Sequence, residues 1–143
     1  SIIRLICGDD IPHTGEVIMN RQLKTSRITQ DFSELSGNLT DYAYSHGLDE
    51  SLFKAILRKL DFSREQFEKD ISDFSDGQKK KVMIAASLCT PAHLYIWDEP
   101  LNYLDVYSRR QLEKLLVSCK PTMLIVEHDR TFCDAVNAKY YQF

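Results

Sequence analysis

The sequence predicts an α/β fold, a parallel sheet flanked by helices and interrupted by an inserted α-helical subdomain. Three observations carry that reading. Strand-length apolar segments, Leu94–Trp97 and Thr122–Val126, alternate with helix-length amphipathic ones. Those strands are continuously apolar, the pattern of a parallel sheet covered on both faces. Between residues 31 and 75 the texture changes to amphipathic helices alone.

In chain order, Ser1–Cys7 reads as the tail of a helix, with Ile2, Ile3 and Ile6 on one face and Gly8 as its stop. Asp9–Gly15 is turn material punctuated by Pro12 and Gly15. His13 belongs to this loop and is expected in solvent. Glu16–Met19 and Arg27–Gln30 are short strand candidates. Leu52, Phe53, Ile56, Leu57 and Leu60 share one helix face, with Asp49 or Ser51 available as its cap. Ser63–Gln66 has the form of a capping box opening a short helix whose buried side is Phe67 and Ile71. Lys79–Thr90 is a long helix ended by Pro91. Helices over Tyr107–Ser118 and Arg130–Asn137 bracket the strand at 122–126, and Tyr140–Phe143 is strand-like. The expected organisation is one partial domain, with 1–30 and 76–143 as the α/β core and 31–75 as the helical subdomain.

At 143 residues, 43% of them hydrophobic, the chain is large enough for one real core. A net charge of -3 gives no whole-chain attraction to nucleic acid or membrane, so such a partner must meet a local patch. Cys7, Cys89, Cys119 and Cys133 form no Cys-x-x-Cys pair, which argues against a metal site or disulfide framework and fits a reducing, cytoplasmic setting. No apolar run approaches the roughly 20 residues of a membrane helix.

The chemistry-bearing stretch runs from Asp73 to Asp105. Ser75 and Gln78 stand at capping-box spacing, so this turn opens a helix. A helix N-terminus is also an anion site, and Gly77 removes the side chain that would block a phosphate. The run Lys79–Lys81 is expected as a solvated face. The strand Leu94–Trp97 delivers Asp98 and Glu99 at its carboxyl end, where open α/β sheets hold ligands. One carboxylate there suits Mg²⁺ and the other can polarise a water. His128 follows the next core strand on the same edge, and Gln30 ends an earlier strand candidate.

These residues resemble the ATP-binding-cassette (ABC) ATPases. Phe74-Ser75-Asp76-Gly77-Gln78 is similar to their signature motif, usually Leu-Ser-Gly-Gly-Gln. Leu94–Glu99 resembles the Walker B motif with its catalytic glutamate, Leu101–Asp105 the D-loop, His128 the switch histidine and Gln30 the Q-loop glutamine. The resemblance implies a P-loop NTPase-like sheet and ATP with Mg²⁺ as cofactors. It implies Asp98 and Gln30 at the metal, Glu99 activating water, and His128 at the γ-phosphate. Ser75, Gly77 and Gln78 would close over ATP held by a second cassette, and Asp105 would link the two sites. The phosphate-binding loop Gly-x-x-x-x-Gly-Lys-[Ser/Thr] is missing and expected just upstream of Ser1, so the chain alone is expected to be inactive.

Pro100-Leu101-Asn102-Tyr103-Leu104-Asp105 and His128–Asp134 resemble the ABC-F group. That group is soluble, carries two cassettes on one chain and acts on the ribosome, as translation factors or in antibiotic resistance. Asp76, Trp97, Leu101 and Tyr103 resemble the second cassette of the resistance proteins. The implied partners are a second ABC domain and the ribosome with its rRNA, without membrane insertion. The alternative is the nucleotide-binding domain of a membrane transporter, whose partner would be a transmembrane permease.

Overall fold

The computed structural model describes residues 2–142. In chain order the elements are α1 (Ile2–Ile6), β1 (Thr25–Ile28), α2 (Leu39–Ser45), α3 (Glu50–Lys59), α4 (Asp76–Cys89), β2 (Leu94–Asp98), α5 (Val106–Cys119), β3 (Met123–Val126) and α6 (Arg130–Ala135). Two single 3₁₀ turns, Gln66–Glu68 and Ile71–Asp73, lie between α3 and α4. The strands form one sheet in the order β1-β2-β3. Both pairings are parallel, with Ile28 opposite Trp97 and Trp97 opposite Ile125. All three carboxyl ends therefore share one edge, and the connections must cross the sheet as helices.

Trp97 is fully buried at the centre of that sheet. Its indole N–H donates to Ser87 Oγ on α4 at 2.9 Å. Ser26 on β1 donates its single proton to the Ser87 carbonyl at 3.0 Å, so the 2.7 Å contact between the two hydroxyls is donated by Ser87. The polar groups of three elements are thus mutually satisfied inside the core, the condition under which burying them costs little.

The helical subdomain is built on local signals. Asp49 caps α3, accepting from Leu52 N at 3.0 Å, and the helix buries Phe53, Ile56 and Leu57. Replacing Asp49 with alanine is expected to cost about 1 kcal/mol, read as a lower urea midpoint at unchanged slope. At Ser63–Gln66 only half of the expected box forms: Ser63 N donates to Gln66 Oε1 at 2.9 Å, and the following turn is 3₁₀. Ile71 is buried as expected and Phe67 partly so.

Five further expectations are corrected. Glu16–Met19 is irregular and exposed, Ile18 at 82%, because no described strand lies beside it to take up its backbone groups. The strand expected at Arg27–Gln30 is Thr25–Ile28, two residues earlier, and Tyr140–Gln142 is irregular. Phe143 lies outside the described residues. Helices flank the sheet, but burial on both faces is confined to β2. Thr25 and Arg27 of β1 are exposed, as are Leu124 (39%) and Val126 (37%) of β3. Finally, Lys79–Lys81 is not a solvated face, since Lys80 is 1% exposed and Lys81 is 7%.

Candidate functional site

The shared carboxyl edge of the sheet gathers Gln30, Asp98, Glu99, Glu127 and His128. Glu99 is its centre. Its Oε2 accepts from Gln30 Nε2 at 3.2 Å and from Asn102 Nδ2 at 2.7 Å. Its Oε1 lies 3.6 Å from His128 Nε2. Glu99 itself has a left-handed backbone, φ 48, unusual for a residue with a Cβ and a form of strain that concentrates at active sites. The His128 ring is 85% exposed, so one face remains open to a ligand.

Asp98 closes β2 and is partly buried, yet its carboxylate takes no hydrogen bond or ion pair among the described residues. A carboxylate free of protein partners suits a hard divalent cation. No group of three or more His, Cys, Asp or Glu among the described residues is arranged to hold a metal by itself. Mg²⁺ therefore fits Asp98 only with most of its ligands supplied by water and phosphate oxygens.

Glu127 is a functional-edge residue that sequence reasoning passed over. Its Oε1 accepts from the backbone of His128 at 2.9 Å and of Asp129 at 3.3 Å, and its Oε2 from Leu101 N at 3.4 Å. It ties the loop after β3 to the loop after β2. Its position beside His128 was the available signal.

Ser75 and Gln78 form a complete capping box at the start of α4. Ser75 N donates to Gln78 Oε1 at 2.9 Å, and Gln78 N donates to Ser75 Oγ at 3.2 Å. Gly77 does more than leave room for an anion. A Cβ at this position would sit 2.7 Å from the backbone carbonyl oxygen of Tyr103, which has φ 69 in the loop after β2. Gly77→Ala must push that loop away. The expected cost is about 1–3 kcal/mol, measured by chemical denaturation.

Asp105 is the N-cap of α5. It accepts from Ser108 N at 2.7 Å and Ser108 Oγ at 3.0 Å, and it meets Lys81 Nζ at 3.5 Å. The Ser108 backbone N–H, aided by the Ser108 hydroxyl and Lys81, holds its carboxyl below the ordinary 3.8. A depressed carboxyl stabilises the fold above its unfolded value and loses that contribution as pH falls through the folded one. Asp105→Asn is therefore expected to flatten the fall in Tm below about pH 4, followed by thermal melts across that range.

The rim is thus a carboxylate held by an amide pair with an imidazole 3.6 Å away, beside a second carboxylate left free. It sits where a water and a phosphate could be placed together. Comparison with known proteins places the chain beside nucleotide-binding ones. The family model described as ABC transporter matches residues 1–102. ATP-binding protein Uup of Buchnera aphidicola (subsp. Acyrthosiphon pisum) is 30% identical over 151 residues, covering 100% of this chain and 25% of that protein. ABC transporter F family member 2 of Arabidopsis thaliana is 28% identical, covering 92% of this chain and 20% of that protein. The crystal structure of archaeal ribosomal stalk protein aP1 with the archaeal ribosome recycling factor aABCE1 shares the fold. Its TM-score is 0.74 at 24% identity, over 94% of this chain and 27% of that one. The chain spans about a quarter or less of the length of these curated relatives.

Proposed function

Because this chain belongs to the ABC transporter family, we propose that it is the catalytic-rim part of an ATP-hydrolysing cassette in a cytoplasmic ABC-F-type protein that acts on the ribosome. The observation that carries the hydrolytic reading is Glu99, a carboxylate oriented by Gln30, Asn102 and His128 at the carboxyl end of a parallel sheet. The likeness to an ABC transporter F family member supports the ABC-F part. The fold shared with a protein described as a ribosome recycling factor is consistent with a ribosomal partner.

In this reading Glu99 holds the attacking water and takes its proton. Gln30 and Asn102 fix one carboxylate oxygen so that the other faces the water, and His128 turns its open edge to the γ-phosphate. Most of the catalysis is positional and electrostatic, as in phosphoryl transfer generally. Mg²⁺, when bound with ATP, would neutralise phosphate charge, and Asp98 with Gln30 would hold it. Ser75, Gly77 and Gln78 face the nucleotide of a second cassette, and Asp105 lies between the two sites. The 143 residues contain no Gly-x-x-x-x-Gly-Lys-[Ser/Thr] sequence. The chain by itself is therefore expected to release no phosphate from ATP.

The test uses the intact protein that carries these residues. It is expected to release phosphate from Mg-ATP and to co-sediment with ribosomes in ATP but not in ADP. Phosphate release without nucleotide-dependent ribosome association would retain the ATPase and sink the ribosomal part. Mg²⁺-dependent turnover by the isolated 143-residue chain would sink the account of its inactivity.

A further inference from the structure

Two loops of the catalytic edge are tied together by a side chain that the chemistry above leaves unused. Arg109 stands one turn into α5, where its backbone N–H donates to the carbonyl of the cap Asp105 at 3.0 Å. Its guanidinium reaches in two directions. Nε donates to the Leu104 carbonyl at 3.1 Å, at the end of the loop after β2. Nη1 donates to Asp129 Oδ2 at 3.4 Å, in the turn after β3. The other oxygen of Asp129 accepts from Phe132 N at 3.1 Å and caps α6, and the residue before Asp129 is His128.

Little stability is expected from this fork. The side chains of Arg109 and Asp129 are 39% and 34% exposed, so solvent screens the pair. A cation this near a helix start also gains nothing from the macrodipole. What the planar guanidinium supplies is two donors at fixed spacing, which sets the distance between Leu104 and Asp129. Glu127 makes a second tie between the same two loops, at the other end of the first: its Oε2 accepts from Leu101 N, and its Oε1 from His128 N and Asp129 N. With both ends tied, residues 101–104 and 127–129 are held as one body.

We infer that Arg109 is a positioning residue for His128, coupling it to the loop end at Asp105, so that contact there with a second cassette and placement of the imidazole are one event. The path is short. The Leu104 carbonyl belongs to the peptide that carries the Asp105 N–H, and Asp129 shares its peptide with His128. The functional meaning rests on the ATPase reading above, in which Asp105 lies between two nucleotide sites and His128 meets the γ-phosphate.

Two measurements test it. In the intact protein, Arg109→Gln is expected to lower kcat for ATP about tenfold or more with KM unchanged, the effect of a small misplacement at the reacting centre. Arg109→Lys keeps the charge, but one ammonium cannot hold both acceptors, so it should be as slow. In a His128→Ala background, Arg109→Gln should add less than about twofold, because residues that act as a unit are not additive. A further tenfold loss there overturns the proposal, as does a lysine variant at the parent rate. The second measurement needs no nucleotide and uses the 143-residue chain, with the His128 backbone amide followed by nuclear magnetic resonance. Asp105→Ala is expected to shift that amide in the parent chain, and by less than half as much when Arg109 is already glutamine. No shift in the parent, or equal shifts in both, overturns the coupling. An intact parent protein that hydrolyses no ATP sinks the ATPase reading alone, and the amide comparison then decides the coupling by itself.

Discussion

Glu99→Gln in the intact protein is expected to lower ATP turnover by about 10²–10⁴-fold, the range contributed by a positioned general base, while ATP binding survives. The geometry explains why the two effects should separate. Both oxygens of Glu99 are engaged, one by Gln30 and Asn102 and the other near His128. A glutamine carbonyl can still accept from the same amides, so the side chain keeps its place. It cannot take a proton. Single-turnover phosphate release beside equilibrium nucleotide binding measures the pair, and unchanged release would remove Glu99 from its role.

The largest stability effect is expected at Trp97. Trp97→Ala should cost about 3–5 kcal/mol, from lost burial and the cavity left beneath α4. Set against the 5–15 kcal/mol that holds a typical domain, that brings the chain close to unfolding at body temperature. Trp97→Phe should cost less, about 1–2 kcal/mol. The Ser26–Ser87 pair stays satisfied without the indole, since each hydroxyl keeps its own acceptor. Urea midpoints for the two variants give the comparison directly. Equal losses would mean that the indole N–H, rather than ring volume, sets the cost.

Much of this was legible in the residues because local rules and tertiary packing agree. Asp49 and Ser75 were readable as polar residues ahead of helical stretches, and each caps a helix; Asp105 and Asp129 cap theirs in the same way. The apolar runs ending at Trp97 and Val126 are the parallel strands, and the polar clusters after them share one edge. Where reading failed, the deciding partner was distant in sequence. Glu16–Met19 has strand composition, but a strand exists only beside another. Lysines at 80 and 81 look like solvent-facing charge, yet both are buried, and Lys81 meets Asp105 24 positions away. Glu127 looked like one more acidic neighbour of His128, yet its partner Leu101 lies 26 positions away. Gly77 was assigned to phosphate access, and its closest constraint is Tyr103, also 26 positions away.

The capping box at the start of α4 has a polarity of its own. Ser75 Oγ and Gln78 Oε1 are both spent as acceptors on backbone N–H groups of the same turn. What the box leaves unspent is the serine O–H and the glutamine N–H₂, with one lone pair on each of the two oxygens. The free side-chain donors of the helix start thus stand beside its open backbone N–H groups. Such a turn can meet a phosphate oxygen with hydrogen from both. The one carboxylate in this turn, Asp76, is exposed at the first helical position. It supplies the one negative charge in the turn, which would turn an anion away. The sequence Ser-Asp-Gly-Gln thus sets a fixed pair of donors against one movable charge, within four consecutive residues.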